Sequence, residues 1–380
     1  MRRGFKVLDC DAHMQEPPDI WVRYVEPAYR ERAPKVTGHE GRTLFTYAPC
    51  ESFPQGLKVQ WPPEVYADVR ERYGEAYESW WSLESRLRHM DQEGIDVMVG
   101  FPTNGLTPPT APSITDPQLQ AALCRAYNDW ATDYCRDSGG RVKFIAKFTM
   151  LDVAEAVAEI ERIAPRPEAA AVVMPYAGNS AQWPSPEFDP VWNALVAADL
   201  AISFHGGPSQ TLWFRPWREA GMAAVAHALG FPVDCMLGMG TLIFGGVLER
   251  FPALRCGFFE ANAGWVPWWL ARLDDHATGR QGRYMNNAPL ALRPSEYFRR
   301  QCFVAADPDE GTLAQAVECL NGDNILFNTD YPHPDAPFPG AVDDFLAQPI
   351  PDDAKRKILW DNATAFFGSR LADVLASVPA

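Results

Sequence analysis

The chain has 380 residues, 47% apolar and 22% charged, with a formal net charge of −15 and a pI near 4.9. That length and apolar content supply a large core. The acidity, without any Lys/Arg cluster, excludes a nucleic-acid face and an anionic membrane surface, but leaves room for an anionic small substrate met by a local cation.

In chain order, a first strand is predicted near residues 6–11, followed by an aromatic, Pro-rich insertion over 18–80 with a helix in "WPPEVYADVRERYGEAYESWW". "LESRLRHMDQEG" reads as a helix stopped by Gly94, and "IDVMVGFPT" as a buried strand. Asp116 caps the amphipathic helix "DPQLQAALCRAYNDWATDYC", which Gly139-Gly140 closes. Strand and helix then alternate: "VKFIAKFTM", "DVAEAVAEIERIA", "AAAVVMPY", "FDPVWNALVAADL" and "AISFHGG". "MAAVAHALGF" and "TLIFGGVLERFP" supply further helix, "LRCGFFEAN" a strand, and "VPWWLARLDDH" a helix. The strand "QCFVAA", the helix "GTLAQAVECL", the strand "NILFNTDYPH" and a helical tail complete the pattern. No 18-residue apolar run is read, so no spanning helix is expected.

Eight strands alternating with helices predict an α/β fold, a distorted (β/α)8 TIM barrel with an insertion after strand 1 and a helical C-terminal tail. Residues 1–380 are read as one domain. An open doubly wound sheet is the alternative, but it wants a Gly-rich phosphate loop where Asp11-Ala12-His13 stands. The eight cysteines show no CxxC pair and sit mostly in apolar runs. Together with a start lacking a secretory leader, they predict a cytoplasmic protein.

In a barrel the C-terminal strand ends share one site. Strand 1 brings Asp11 and His13, two apart and therefore on one face; strand 5 brings His205, strand 6 Glu260, and strand 8 Asp330 with His333 three residues on. Carboxylate oxygens and imidazole nitrogens suit a divalent ion, so Asp11, His13, His205 and Asp330 are the expected metal ligands. Zinc is the first expectation and manganese the second, with no organic cofactor. Each residue also has a plainer reading: a loop cap for Asp11, a structural histidine for His13 or His205, a turn former for Asp330 or His333, and a salt-bridge partner for Glu260. No cysteine stands at these ends, which disfavours an iron–sulfur site.

After strand 5, Trp213, Phe214 and Trp217 are candidates to stack on a ring, and Arg215 to pair with a substrate carboxylate. Trp21 is expected to roof the pocket, and Thr103 and Asn104 to face it. Core or interface packing is the other reading of these aromatics, and a surface ion pair that of Arg215. His39, His89, His227 and His276 are read as peripheral.

The stretches "DCDAHMQEP", "RHMDQEGIDVMVGFPT", "CRAYNDWATDYC", "FDPVWNALVAADLAISFHGG", "GGVLERFPALRCGFFEANAGWVPWWLARLD", "NTDYPHPD" and "NATAFFG" resemble the amidohydrolase-related family that includes the aminocarboxymuconate-semialdehyde and resorcylate decarboxylases. The resemblance implies a mononuclear metal in a distorted barrel, with Asp11 and His13 as the acid-x-His variant of the strand 1 pair, and it implies a homodimer. Many members carry a catalytic histidine at the end of strand 6; this chain has Glu260 there. Strand 4 ends without a lysine, so no bridging carbamylated lysine is expected. Asn128 and Asn362 match family landmarks and are read as structural.

The activity the resemblance implies is non-oxidative decarboxylation of an aromatic or unsaturated cyclic carboxylic acid. Asp330 would be ligand and proton shuttle, Glu260 its coupled partner, and His205 and His333 further catalytic groups. The same ligands also serve hydrolysis of a cyclic, ester, amide or C–C bonded substrate, and replacement of the strand 6 histidine keeps open a metal-free binding protein on this barrel.

Overall fold

The computed structural model describes residues 1–39, 45–58, 62–175, 177–206, 216–217, 220–279 and 290–375. Ten strands occur among them: β1 Leu8–Met14, β2 Val36–Gly38, β3 Thr46–Tyr47, β4 Val97–Pro102, β5 Val142–Lys147, β6 Ala169–Val173, β7 Ala201–His205, β8 Cys256–Phe259, β9 Cys302–Ala306 and β10 Ile325–Phe327. β1 and β4 to β10 pair in sequence order as one parallel eight-stranded sheet; β2 and β3 are an antiparallel pair in the insertion.

The sheet's residues are buried on both faces, as continuous apolar runs such as Val97–Phe101 require. The inner face gathers Leu8, Val99, Phe101, Ile145, Val173 and Phe259, and Phe366, Phe367 and Leu371 of the tail join that cluster. The outer face packs against helices, among them Leu83–Glu93, Pro117–Cys135, Val153–Ile163 and Val266–Thr278. Asp116 does cap its helix, accepting from the Gln118 and Leu119 amides, and Gly94 ends the helix before it at φ 78°.

β1 and β10 form no ladder, so one seam is not zipped by strand pairing. Just beyond β10, Asp330 N donates to Asp11 O (2.9 Å) and His13 N to Tyr331 O (2.6 Å). The buried Asp9 carboxylate adds bonds from Thr329 N (3.1 Å) and Thr329 Oγ1 (2.5 Å). These contacts bring the first and last strand ends together.

Two expectations need correction. β1 runs on to Met14, so Asp11 and His13 lie inside the strand, and a bulge between Asp9 and Ala12 sets Asp9 on the seam. Ala223–Phe244 is one 22-residue helix, long and apolar enough by length and composition to cross a membrane, where no such run was expected. Pro232 within it divided the pattern in sequence. Part of the helix packs on the barrel: a Cβ at Gly238 would lie 2.6 Å from the Phe204 ring. All eight cysteines are free.

Candidate metal centre

β1 projects Asp11 and His13 into the C-terminal mouth of the barrel, and β7 ends there on His205. His13 Nε2 and His205 Nε2 are 3.2 Å apart. Asp11 Oδ1 lies 3.7 Å from the first and 3.8 Å from the second, and Asp330 Oδ1 lies 3.3 Å from His13 Nε2. Asp11, His13 and His205 converge closely enough to hold one ion, as do His13, Asp330 and His333.

The chemistry of this cluster asks for a cation. Asp11 is fully buried and neither carboxylate oxygen has a hydrogen-bond partner. His205 Nδ1 is 3.0 Å from the Gly206 carbonyl, which only accepts, so Nδ1 carries the proton and the Nε2 lone pair faces His13 and the acids. Acceptor atoms of two acids and two imidazoles thus crowd one buried point, and a divalent ion among them satisfies them together. The residues present therefore fit a metal ion.

Burial pushes the Asp11 carboxyl well up and His13 well down, the neighbouring His333 and His205 adding to the latter. Burial also lowers His205, against the pull of Asp11 and Asp330. Behind β1 the buried Arg86 donates from Nη2 to the His13 carbonyl (2.7 Å) and from Nε to Tyr134 Oη (3.0 Å), its guanidinium lying over the Tyr331 ring. This buried cation, separated in sequence from every candidate ligand, was not read from the sequence.

Glu260 Oε2 is 2.8 Å from His205 Nε2. Burial, then the nearby Asp330, push its carboxyl well above the usual range. His333 Nδ1 is 2.8 Å from Asp330 Oδ1, and its ring stacks on His13 at 3.9 Å between centroids. Burial opposes protonation of His333, but Asp330 and Glu260 outweigh it and raise the imidazole to about 9. A cavity of about 280 Å³ opens beside the cluster, with Glu260, Asp330, Asp307, Asn262, Phe231 and His227 in its wall. His227, read as peripheral, thus faces the site.

The expected substrate contacts fare differently. Trp21 is buried in the outer core and Asn104 accepts from Phe45 N (2.9 Å); neither lines this cavity. Trp213, Phe214 and Arg215 lie outside the described residues, and Trp217 is exposed. Asn128 and Asn362 hold backbone: the first pairs with Lys147 N and O, the second with Gly322 O and Ile325 O. Lys147, at the end of β5, is a buried amine that the sequence reading passed over; it donates to Leu106 O and Thr110 Oγ1, and burial lowers it to about 8.

A parallel eight-stranded barrel whose first, fifth and eighth strands deliver acids and imidazoles to one point defines a barrel protein with a metal-binding centre at its C-terminal mouth. Residues 9–369 match the amidohydrolase family model, and the chain belongs to that family. It is 23% identical over 300 residues to a gamma-resorcylate decarboxylase from a Polaromonas species, covering 74% of this chain and 86% of that one. Among solved structures it resembles an amidohydrolase from Mycobacterium avium subsp. paratuberculosis, at 19% identity and a TM-score of 0.73 over 96% of this chain and 100% of the other. A manganese-bound 5-carboxyvanillate decarboxylase from Novosphingobium aromaticivorans superposes with a TM-score of 0.71 at 21% identity, over 96% and 98% of the two chains.

Proposed function

We propose that the protein is a metal-dependent, non-oxidative decarboxylase of an aromatic or unsaturated cyclic carboxylic acid. The observation that carries this is the shared cavity wall: Asp330 of the candidate ligand cluster and Glu260 beside it face the same 280 Å³ space. Relatives whose substrates are hydroxylated benzoates support the substrate class.

Asp11, His13, His205 and Asp330 would hold the ion. Two carboxylates among four ligands suit manganese as well as zinc, and two of the resembling decarboxylases were solved with manganese bound. When bound, the ion supplies positive charge that holds a phenolate or carboxylate oxygen and steadies the charge building there.

The remaining work falls to side chains. Glu260 donates its proton to the ring carbon that bears the carboxylate. The C–C bond to that carboxylate then breaks, its electron pair returns to the ring, and CO2 leaves. The Glu260 carboxylate regains a proton from water, and His333, ion-paired with Asp330 at 2.8 Å, keeps the Asp330 carboxylate oriented. One proton is consumed for each CO2 released.

The test is a panel of hydroxybenzoates, including 2,6-dihydroxybenzoate and 5-carboxyvanillate, assayed for CO2 release by manganese- and zinc-loaded protein. Release that falls by about 100-fold or more in Glu260→Gln, to a rate still measurable, supports the assignment. Turnover of lactones or amides with none of the acids would replace it by the hydrolase reading, which the Asp330–His333 pair favours as an acceptor of a water proton. We also propose a homodimer, supported by the exposed apolar residues Val225, Leu229 and Leu237 on the helix Ala223–Phe244.

A further inference from the structure

Glu260 does not stand on a strand. β8 ends at Phe259, and Glu260 and Asn262 follow with φ of 52° and 58°, in the left-handed region that side chains other than glycine rarely adopt. Such a turn persists only where its surroundings hold it. The holder comes from the loop after β9. Glu310, only 5% exposed, accepts from Ala263 N through Oε2 (2.8 Å) and from Gly264 N through Oε1 (2.7 Å). Thr312 Oγ1 donates to the same Oε1 (2.5 Å). Asn262 O is fixed from the far side by Trp265 Nε1 (2.9 Å).

The turn is packed against that anchor without slack. A Cβ at Gly264 would stand 2.1 Å from Thr312 Oγ1 and 3.1 Å from Glu310 Oε1, so any other residue there forces the turn or its Thr312–Glu310 anchor to shift. With the turn in place, Glu260 reaches His205 Nε2 at 2.8 Å and faces the cavity.

We infer that Glu310 is a positioning residue for Glu260: by clamping the amides of Ala263 and Gly264 it holds the left-handed turn that aims the Glu260 carboxyl at the metal centre. The clamp belongs to the fold. That its release matters for catalysis rests on the decarboxylase reading, in which Glu260 donates the proton.

The experiment compares full-length manganese-loaded wild type, Glu310→Gln, Glu260→Gln and the double variant. The amide in Glu310→Gln presents N–H to one of the two backbone donors and so breaks half the clamp. In Glu310→Gln, kcat on a turned-over acid falls by about 10-fold or more while the Mn²⁺ dissociation constant changes by less than about 3-fold, and the fall disappears once Glu260 is already Gln. Losses that multiply in the double variant, or a collapse of Mn²⁺ affinity alongside kcat, overturn the inference, because damage spread through the barrel mouth would act without Glu260.

If no acid in the panel is turned over, the decarboxylase reading fails and the positioning claim is read from the crystal structure of Glu310→Gln. In the metal-free crystal, loss of the Glu260–His205 contact seen at 2.8 Å upholds it, and an unmoved Glu260 refutes it. Should Glu310→Gln not fold, Thr312→Val, which removes one donor to Oε1 and leaves both backbone bonds, reports the same couplings at smaller size, and additive behaviour there also overturns the claim.

Discussion

In the proposed metal site, Asp11 is the residue at which metal binding and stability pull in opposite directions. Its two carboxylate oxygens are buried without partners, an arrangement that destabilises a metal-free fold and that an ion repairs. Asp11→Asn should therefore raise the stability of metal-free protein by roughly 1–2 kcal/mol, since an amide loses less on burial than a carboxylate. The same change should abolish most of the stabilisation that Mn²⁺ or Zn²⁺ gives the wild type. Thermal melts of both forms, with and without each ion, check the two signs. A metal-free variant less stable than the metal-free wild type would mean that Asp11 has partners in solution that offset its burial.

At the scale of elements, the loops above the barrel are tied down by buried acids that never face the cavity. Glu16 accepts from the amides of Thr103, Asn104 and Gly105, at 3.1, 2.8 and 3.0 Å, and so fixes the loop after β4. Asp9 does the same for the seam. Burial pushes both carboxyls up to about 7, against the pull of the hydrogen bonds they accept. The folded state then holds protons that the unfolded chain has released, so their contribution is fully present below the ordinary carboxylate range and is lost as pH rises from there to about 7. Each group adds a slope of at most about 1.4 kcal/mol per pH unit in that window. Glu16→Gln should remove its share of the slope, as chemical denaturation at a series of pH values will show; an unchanged profile would assign the slope elsewhere.

These ties also mark where sequence reading ended. The strands and their order were legible because both faces are buried and the apolar runs are continuous, and the candidate ligands could be proposed because barrel strand ends converge. Asp9 and Glu310 left no such trace: their partners are backbone amides that any residue offers, reached across folded chain rather than along a period. Asp9 bonds to a residue 320 positions away. Glu260 was visible as a candidate, but the turn that aims it was not.

For the molecule as a whole, the helix Ala223–Phe244 sets a question of assembly. One side packs on β7 and β8, and its other side leaves Val225 38%, Leu229 45% and Leu237 37% exposed. The same helix sends Phe231 and His227 to the cavity wall, so a second copy seated on its outer face would lie beside the site. A dimer joins two chains of formal charge −15 each. Apolar burial favours that union and like-charge repulsion opposes it, and salt screens only the second beyond a Debye length of about 8 Å at 0.15 M. Association should therefore strengthen as salt rises from low to physiological concentration, opposite to an interface held by ion pairs. Leu229→Glu places a carboxylate in the apolar contact and should shift the protein to monomer, weakening association by about 100-fold or more. Sedimentation velocity across a salt series reads both effects. A monomeric wild type at every salt concentration would remove the dimer, and a Leu229→Glu dimer as tight as wild type would move the interface to another face.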